Sequence, residues 1–376
     1  MPRSDVFFPR HDPVGPAAEP LDAEHVAAIA DVVADHAARA DAEGVRREVL
    51  DALASVGLLG ASLPQGRQRE LTELLAGSDA STWFCWAQHQ TPLRTLEGAI
   101  AGLRSAAPEE LQAMYLPGLQ SGVLLGAVAF AHVRRPGPPN PVAQRVDGGW
   151  RFTGTLDWVT SWDIADVVMV MAQGSGADVD SLVCAYLPAG RSGEPTPGMV
   201  VGEPLELLAM SGTHTRPVRL DDVFIPDAMI GAIVDRSEYL GVDAVRTGDA
   251  NPAAFGLARG AIAELEALAE ERDDPAMREA AQALIDECRT TRTRAYALAD
   301  SDGPRDDRLA ARAASLDLAA RAARAVVIAR SGAAMRRGSS AERRVREAMF
   351  LLVQAQTAAT RTASLEREVG LANASL

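Results

Sequence analysis

The run Gly148-Gly149-Trp150-Arg151-Phe152-Thr153-Gly154-Thr155-Leu156-Asp157-Trp158-Val159-Thr160-Ser161, continuing as Trp162-Asp163-Ile164-Ala165-Asp166-Val167-Val168-Met169-Val170-Met171-Ala172, reads as a turn and two strands. Gly148-Gly149 supplies the turn, and the aromatic and β-branched alternation after it fits a half-buried strand. From Asp166 a short apolar run of valines and methionines suits a strand covered on both faces. Between the two stands Trp158, with the hydroxyl of Thr160 two positions along. Residues two apart share one face of a strand, so the pair offers a flat apolar surface beside a hydrogen-bonding edge. A Trp-Val-Thr segment can also simply pack a β core, and the flanking sequence has to decide between these uses.

Outward from this stretch the chain divides into three parts. Val123–Phe130 is a buried strand, followed by a proline-rich polar loop, then Val142–Val146 and Ser181–Leu187. Strands at this spacing with turn signals predict a β-barrel-like or two-layer β domain over residues 121–235. Residues 1–20, rich in proline and polar groups, are expected to form a loose arm packed on another subunit. Helical spacing over residues 21–44, 46–55, 70–76 and 108–116, with a helix carrying Trp83, Phe84 and Trp86 capped by Ser78 or Asp79, makes residues 21–120 an N-terminal α-helical domain. Alanine- and arginine-rich helices over 256–272, 275–299, 306–336 and 340–369 predict a C-terminal four-helix bundle within residues 243–371. The fold class is α+β, multidomain. In the last helix, Met349–Val353 is expected to be bundle core rather than the wall of a channel.

Composition narrows the function. The 376 residues are 47% hydrophobic and 23% charged, an ordinary globular balance. A net charge of −14 argues against a nucleic-acid partner. Acidic residues lead in the first half, whereas arginines crowd residues 289–346. There is no lysine, which excludes a Walker-A lysine, a Schiff base and a Ser-Lys dyad. Cys85, Cys184 and Cys288 are far apart, and no His or Cys pair has ligand spacing, so neither a disulfide framework nor a metal centre is expected. Without a basic-then-apolar leader or an apolar run of membrane length, the expectation is a cytoplasmic protein with no membrane contact.

Gly154-Thr155-Leu156-Asp157-Trp158-Val159-Thr160-Ser161 resembles the G-T-K-x-W-I-T-N/S segment of the acyl-CoA dehydrogenase superfamily. A second stretch, Leu208 to Pro226 with Arg216-Pro217-Val218-Arg219-Leu220-Asp221-Asp222-Val223, is similar to that family's G-M-R-x-S-x-T-x-x-V-x-F-D-D-V-x-V-P. Leu58–Pro64 resembles the family's connection between early helices, and the order of helical domain, β domain and bundle matches its layout over nearly the whole chain. The resemblance implies FAD, held by Phe130, His132, Trp158, Thr160 and Ser161. It also implies a substrate, an acyl thioester or other small molecule, met by Thr215, Arg216 and Gln354, and a homodimer or homotetramer. Ala76-Gly77-Ser78-Asp79 copies the family's pyrophosphate motif but falls in the helical N-terminal region, where it reads as a helix cap.

Three departures complicate this. The family's flavin loop T-E-P-x-A-G-S-D is replaced by Phe130-Ala131-His132-Val133-Arg134-Arg135-Pro136-Gly137. The adenosine-binding R-x-x-F-G segment is shortened to Arg272-Asp273-Asp274-Pro275. The seats of the family's catalytic glutamate fall on Ala355 and, in a minority of members, on Arg246, so no catalytic residue can be named. The sequence therefore leaves open a flavin oxidoreductase of altered chemistry acting on a CoA- or carrier-bound acyl group, a two-component monooxygenase taking reduced flavin from a reductase, and an inactive subunit paired with a complete homologue. The last two helices, with Ser331-Gly332 and Ser339 to Glu347, resemble the monooxygenase branch.

Overall fold

The computed structural model describes residues 8–60, 62–100 and 107–371. Met1–Phe7 of the predicted arm and Ala61 of the Leu58–Pro64 match lie outside the described residues. Helices α1 (Ala23–Val32), α2 (Ala37–Glu43), α3 (Arg47–Ser55), α4 (Gln65–Ser78), α5 (Ala80–Leu96) and α6 (Glu109–Ser121) come first. The helix expected over 21–44 is broken by a 3-10 turn at Ala34–His36. Asp79 ends α4 and caps α5, accepting from the Thr82 amide at 2.7 Å, so the Ala76–Asp79 segment is a helix junction.

The strands of the β part are β1 (Gly126–Ala129), β2 (Val142–Val146), β3 (Gly149–Val159), β4 (Val167–Gly174), β5 (Ser181–Pro188), β6 (Met199–Val201), β7 (Arg216–Pro226) and β8 (Ile230–Asp235). They form one eight-stranded sheet in the order β6-β7-β3-β2-β4-β5-β8, with β1 paired to β4. The apolar run of β4 is covered on both faces. Val168, Val170 and Ala172 pack with Trp150, Phe152 and Leu156 of β3. Val167, Met169 and Met171 pack under Leu93, Leu111 and Leu119 of α5 and α6. That double burial is why the strand shows no alternation.

The C-terminal part holds α7 (Arg236–Arg246), α8 (Pro252–Glu271), α9 (Pro275–Asp300), α10 (Arg305–Arg330), α11 (Ser340–Leu351) and α12 (Ala358–Glu368). The predicted helix over 340–369 is two helices. The chain turns between them with Ala355 at φ 51°, and Thr357 and Thr360 form a capping box that starts α12. The helix expected over 306–336 ends at Arg330 and gives way to a 3-10 turn at Ser331–Met335.

Glycines let α4 and α8 touch backbone to backbone. A Cβ on Gly256 would stand 2.2 Å from the Glu73 carbonyl oxygen, and one on Gly77 would stand 2.4 Å from the Gly256 oxygen. The close crossing drives Arg259 between Glu73 at 2.6 Å, Glu70 at 2.9 Å and Asp12 at 2.7 Å, all buried or nearly so. Arg289 and Arg292 donate to the carbonyls of Pro13, Val14, Gly15 and Pro16. Residues 8–20, expected as a loose arm, are therefore bound to their own chain. The buried arginines demand acceptors that the sequence pattern does not assign. All three cysteines are free and buried. Among the described residues no helix is long and apolar enough to cross a membrane, and no cluster of His, Cys, Asp or Glu could hold a metal.

Candidate functional site

The site begins where β3 leaves the sheet. Leu156 pairs with Val218 but Val159 pairs with Arg216, so β3 carries one extra residue there. Such a bulge twists the strand and re-aims its side chains. Trp158 is turned out and is 48% exposed, while Leu156 and Val159 on either side are buried. Thr160 follows in the turn, buried, its Oγ1 3.1 Å from Thr215 Oγ1, which is 2.8 Å from Thr213 Oγ1. Thr213 donates to the Met210 carbonyl at 2.7 Å. With that proton committed, Thr215 donates to Thr213 and Thr160 donates to Thr215, so Thr160 ends the chain with a lone pair free to accept from a ligand.

Opposite this wall stands the N-terminal domain. The segment Leu207–Thr215 is tied to it through Val45, whose amide donates to the Gly212 carbonyl at 2.9 Å, and through His214, 2.8 Å from the Val45 carbonyl. Gly212 is required there, because a Cβ would stand 2.1 Å from the Ala40 carbonyl oxygen. A cavity of about 610 Å³ results, walled by Trp158, Thr160, Met210, Phe84, Phe350 and Val353. Phe84 and Phe350 meet edge to face at 4.9 Å. Met349 and Val353 are exposed to this cavity, and of the run 349–353 Leu351 alone is buried. The expectation of bundle core holds for Leu351, with Phe350 packed against the core, and fails for Met349, Leu352 and Val353, because α11 stops at Leu351 and leaves them exposed.

A second cavity of about 680 Å³ lies between α4, α5, α8, α9 and α10 and is lined by Arg69, Tyr296, Asp249, Arg246 and Arg312 among others. The two meet: Phe130, Arg134, Gln354 and Ala355 line both. Arg134 lies over the Phe130 ring at 5.0 Å and forks onto Asp243 at 2.6 and 2.7 Å. Gln354 is held by Asn251, which donates to its Oε1 at 3.1 Å, and by Arg312, which donates to its carbonyl at 3.0 Å.

Of the residues expected to hold cofactor or substrate, the structure brings together Phe130, Trp158, Thr160, Thr215 and Gln354. Three lie elsewhere. His132 is on the far side of its 3-10 turn, its Nε2 2.7 Å from the Met171 carbonyl, and burial lowers its pKa. Ser161 is fully buried behind the wall with φ 67°, its amide donating to the Thr213 carbonyl at 2.8 Å. Arg216 starts β7 and is spent on Asp163 at 2.7 Å and the Gly202 carbonyl at 3.0 Å. In each case local hydrogen bonding claims the side chain or the turn, which sequence spacing does not reveal. Arg312 and Phe84 also line these cavities and carry no mark in the sequence, since nothing separates a cavity-facing helical position from a core one by periodicity.

The donor set fits a flavin ring. A planar, largely apolar ring needs a stacking surface with a few edge partners, and Trp158 with the Thr160 chain supplies both.

A search of solved structures finds the same architecture. A glutaryl-CoA dehydrogenase from Mycobacterium smegmatis, solved in complex with FADH2, superposes with a TM-score of 0.73 at 17% identity, over 94% of this chain and 96% of that one. The chain has the acyl-CoA dehydrogenase fold. Butyryl-CoA dehydrogenase from Megasphaera elsdenii agrees, with a TM-score of 0.68 at 16% identity over 94% of this chain and 100% of that one. Among curated proteins, a mitochondrial 2-methylacyl-CoA dehydrogenase of Solanum tuberosum is 28% identical over 131 residues. That alignment spans 33% of this chain and 30% of the potato protein, so the chain matches less than a third of that relative's length. No protein-family model matches the chain.

In this acyl-CoA dehydrogenase fold, no Asp or Glu lines the apolar cavity among the described residues. In the adjoining one the lining carboxylate is Asp249, which accepts from Arg308 at 2.6 Å.

Proposed function

We propose that the protein is a flavin-dependent oxidoreductase acting on a CoA- or carrier-bound acyl group, with FAD as its cofactor and without the protein carboxylate that ordinarily removes the α-proton. The observation that carries this is the pair of cavities meeting at Phe130, Arg134, Gln354 and Ala355, one apolar and backed by Trp158 and Thr160. When bound, the flavin supplies hydride acceptance. Trp158 and Phe130, both on the apolar cavity, would hold its ring, and Thr160, kept in place by Thr215 and Thr213, would accept from the ring edge. Phe84, Phe350 and Val353 give the cavity an apolar wall. Gln354, fixed by Asn251, presents an amide that hydrogen-bonds but takes no proton. The α-proton would then pass to water at the cavity mouth, where Val353 is exposed, which requires an acyl group whose own substituent acidifies its α-carbon.

An apolar cavity with no carboxylate on its walls among the described residues equally suits a monooxygenase that borrows reduced flavin from a reductase. The decisive measurement is the visible absorbance spectrum of the purified protein, before and after incubation with FAD and gel filtration. A retained flavin band, weakened several-fold in affinity by Trp158→Ala, is the expected result. Colourless protein that binds reduced flavin would favour the monooxygenase, and protein that binds neither would indicate an inactive subunit.

A further inference from the structure

The second cavity holds more positive charge than its walls neutralise. Arg69, Arg94, Arg134, Arg246 and Arg312 line it, against Asp249 as the lining carboxylate among the described residues. Most of these charges are answered. Arg69 forks onto Asp300 at 2.9 and 2.7 Å, Arg94 has Glu97 at 3.9 Å, and Asp249 is held by Arg308 at 2.6 Å. Arg134 and Arg246 share one carboxylate, Asp243, at 2.6 and 3.2 Å.

Arg312 differs from all of these. It is 5% exposed, and no salt bridge to it occurs among the described residues. Its Nη1 donates to the Asp249 main-chain carbonyl at 3.0 Å and its Nη2 to the Gln354 carbonyl at 3.0 Å, while its Nε has no hydrogen-bond partner. Carbonyls orient a guanidinium but bring no counter-charge. Burial lowers its pKa to about 10, the charge of Arg134 adding to this and that of Asp249 opposing it. A buried cation in this state is costly until an anion arrives. It is also placed where one could arrive, because Gln354, whose carbonyl it holds, and Ala355 line both cavities.

We propose that Arg312, with Arg134 beside it, seats the carboxylate of an acidic acyl group, so that the substrate is the monothioester of a dicarboxylic acid. The proposal rests on reading the two cavities as flavin and thioester seats. A guanidinium fork matches a carboxylate in shape and charge, and the attraction is strengthened where water is excluded. A phosphate on the carrier arm would satisfy the same cation, so the ligands have to separate the two sources.

The test uses the full chain and follows tryptophan fluorescence during titration, Trp158 being the exposed one of the five tryptophans. The probes are glutaryl-pantetheine, which has a carboxylate and no phosphate, its neutral methyl ester, and CoA. Glutaryl-pantetheine should bind at least about tenfold more tightly than the ester, as expected for a charge-assisted hydrogen bond. Arg312→Gln should erase the difference and Arg312→Lys should keep part of it. Because Arg312→Gln disturbs a buried site, Ala355→Glu provides a second variant. It sets a protein carboxylate next to Gln354 and should weaken the acid about tenfold while moving the ester little. Equal affinity for acid and ester overturns the proposal. So does an affinity that follows the phosphate of CoA, an acid preference that survives Arg312→Gln, or no binding by any probe. The flavin spectrum of the same protein judges the underlying reading separately.

Discussion

Glu347 shows how burial sets chemistry at a single residue. It sits on α11, 3% exposed, accepting from the Ala80 amide at 3.3 Å, with Arg343 at 3.8 Å. Arg343 also pairs with the buried Asp79 at 3.3 Å, so two carboxylates divide one close guanidinium. Burial pushes the Glu347 carboxyl up to about 7, against the pull of Arg343 and with a push from Asp79. A folded pKa above the unfolded one means that the native state holds the proton more tightly. The stability it contributes is full below the unfolded pKa, about 4.3, and is lost as pH rises through 7. Melting temperature should therefore fall between pH 5 and pH 8, and Glu347→Gln should flatten that fall. A wild-type profile that rises over this window would contradict the assignment. Trp158 and Thr160 were expected at a common site because their segment resembles a family motif, and both line the apolar cavity. The fate of Arg216 was not legible in the sequence, because Asp163 reaches it only after the chain has folded back.

At the scale of elements, the break between α11 and α12 matters most. A continuous helix would carry Gln354 and Ala355 around its surface, whereas the turn at Ala355 leaves both on the two cavities. The turn is held from beyond by Thr357, which accepts from the Thr360 amide at 3.3 Å and donates its own amide to Thr360 Oγ1 at 2.8 Å. Thr357→Ala should cost about 1 kcal/mol of cap stability. Amide hydrogen exchange over 358–368 should quicken, with the core of α8 unchanged; equal protection in both proteins would show that packing alone holds α12. The break has no proline or glycine to announce it, and Ala355 in a left-handed conformation runs against its own preference. A sequence reading therefore runs the helix straight through.

Across the whole molecule, a buried network ties the parts together. Glu73 on α4 accepts from Arg259 on α8 at 2.6 Å, from Arg292 on α9 at 2.9 Å and from the Tyr296 hydroxyl at 2.6 Å. Tyr296 in turn lines the arginine-rich cavity, so the wall of that cavity is fastened to the interface between the N-terminal domain and the bundle. Removing one member leaves other charges buried and unanswered, which costs about 3–5 kcal/mol. Glu73→Gln, which keeps the shape, should fall toward the lower end of that range. Urea unfolding should show a reduced midpoint with the slope unchanged. A midpoint within error of wild type would mean that the network is replaced by water.

Hydrophobic periodicity and turn residues were enough to order the chain into helices, sheet and bundle, since those signals are local and repeat with the period of the backbone. The doubly covered β4 was readable for the same reason. Only the tertiary structure decided which arginines lose their counter-ions, which apolar helix positions face a cavity, and that Ala355 stands where two cavities join. Those properties depend on what lies across a gap from each residue, and the neighbours come from segments far away in sequence, such as Arg312 beside Asp249 and Gln354.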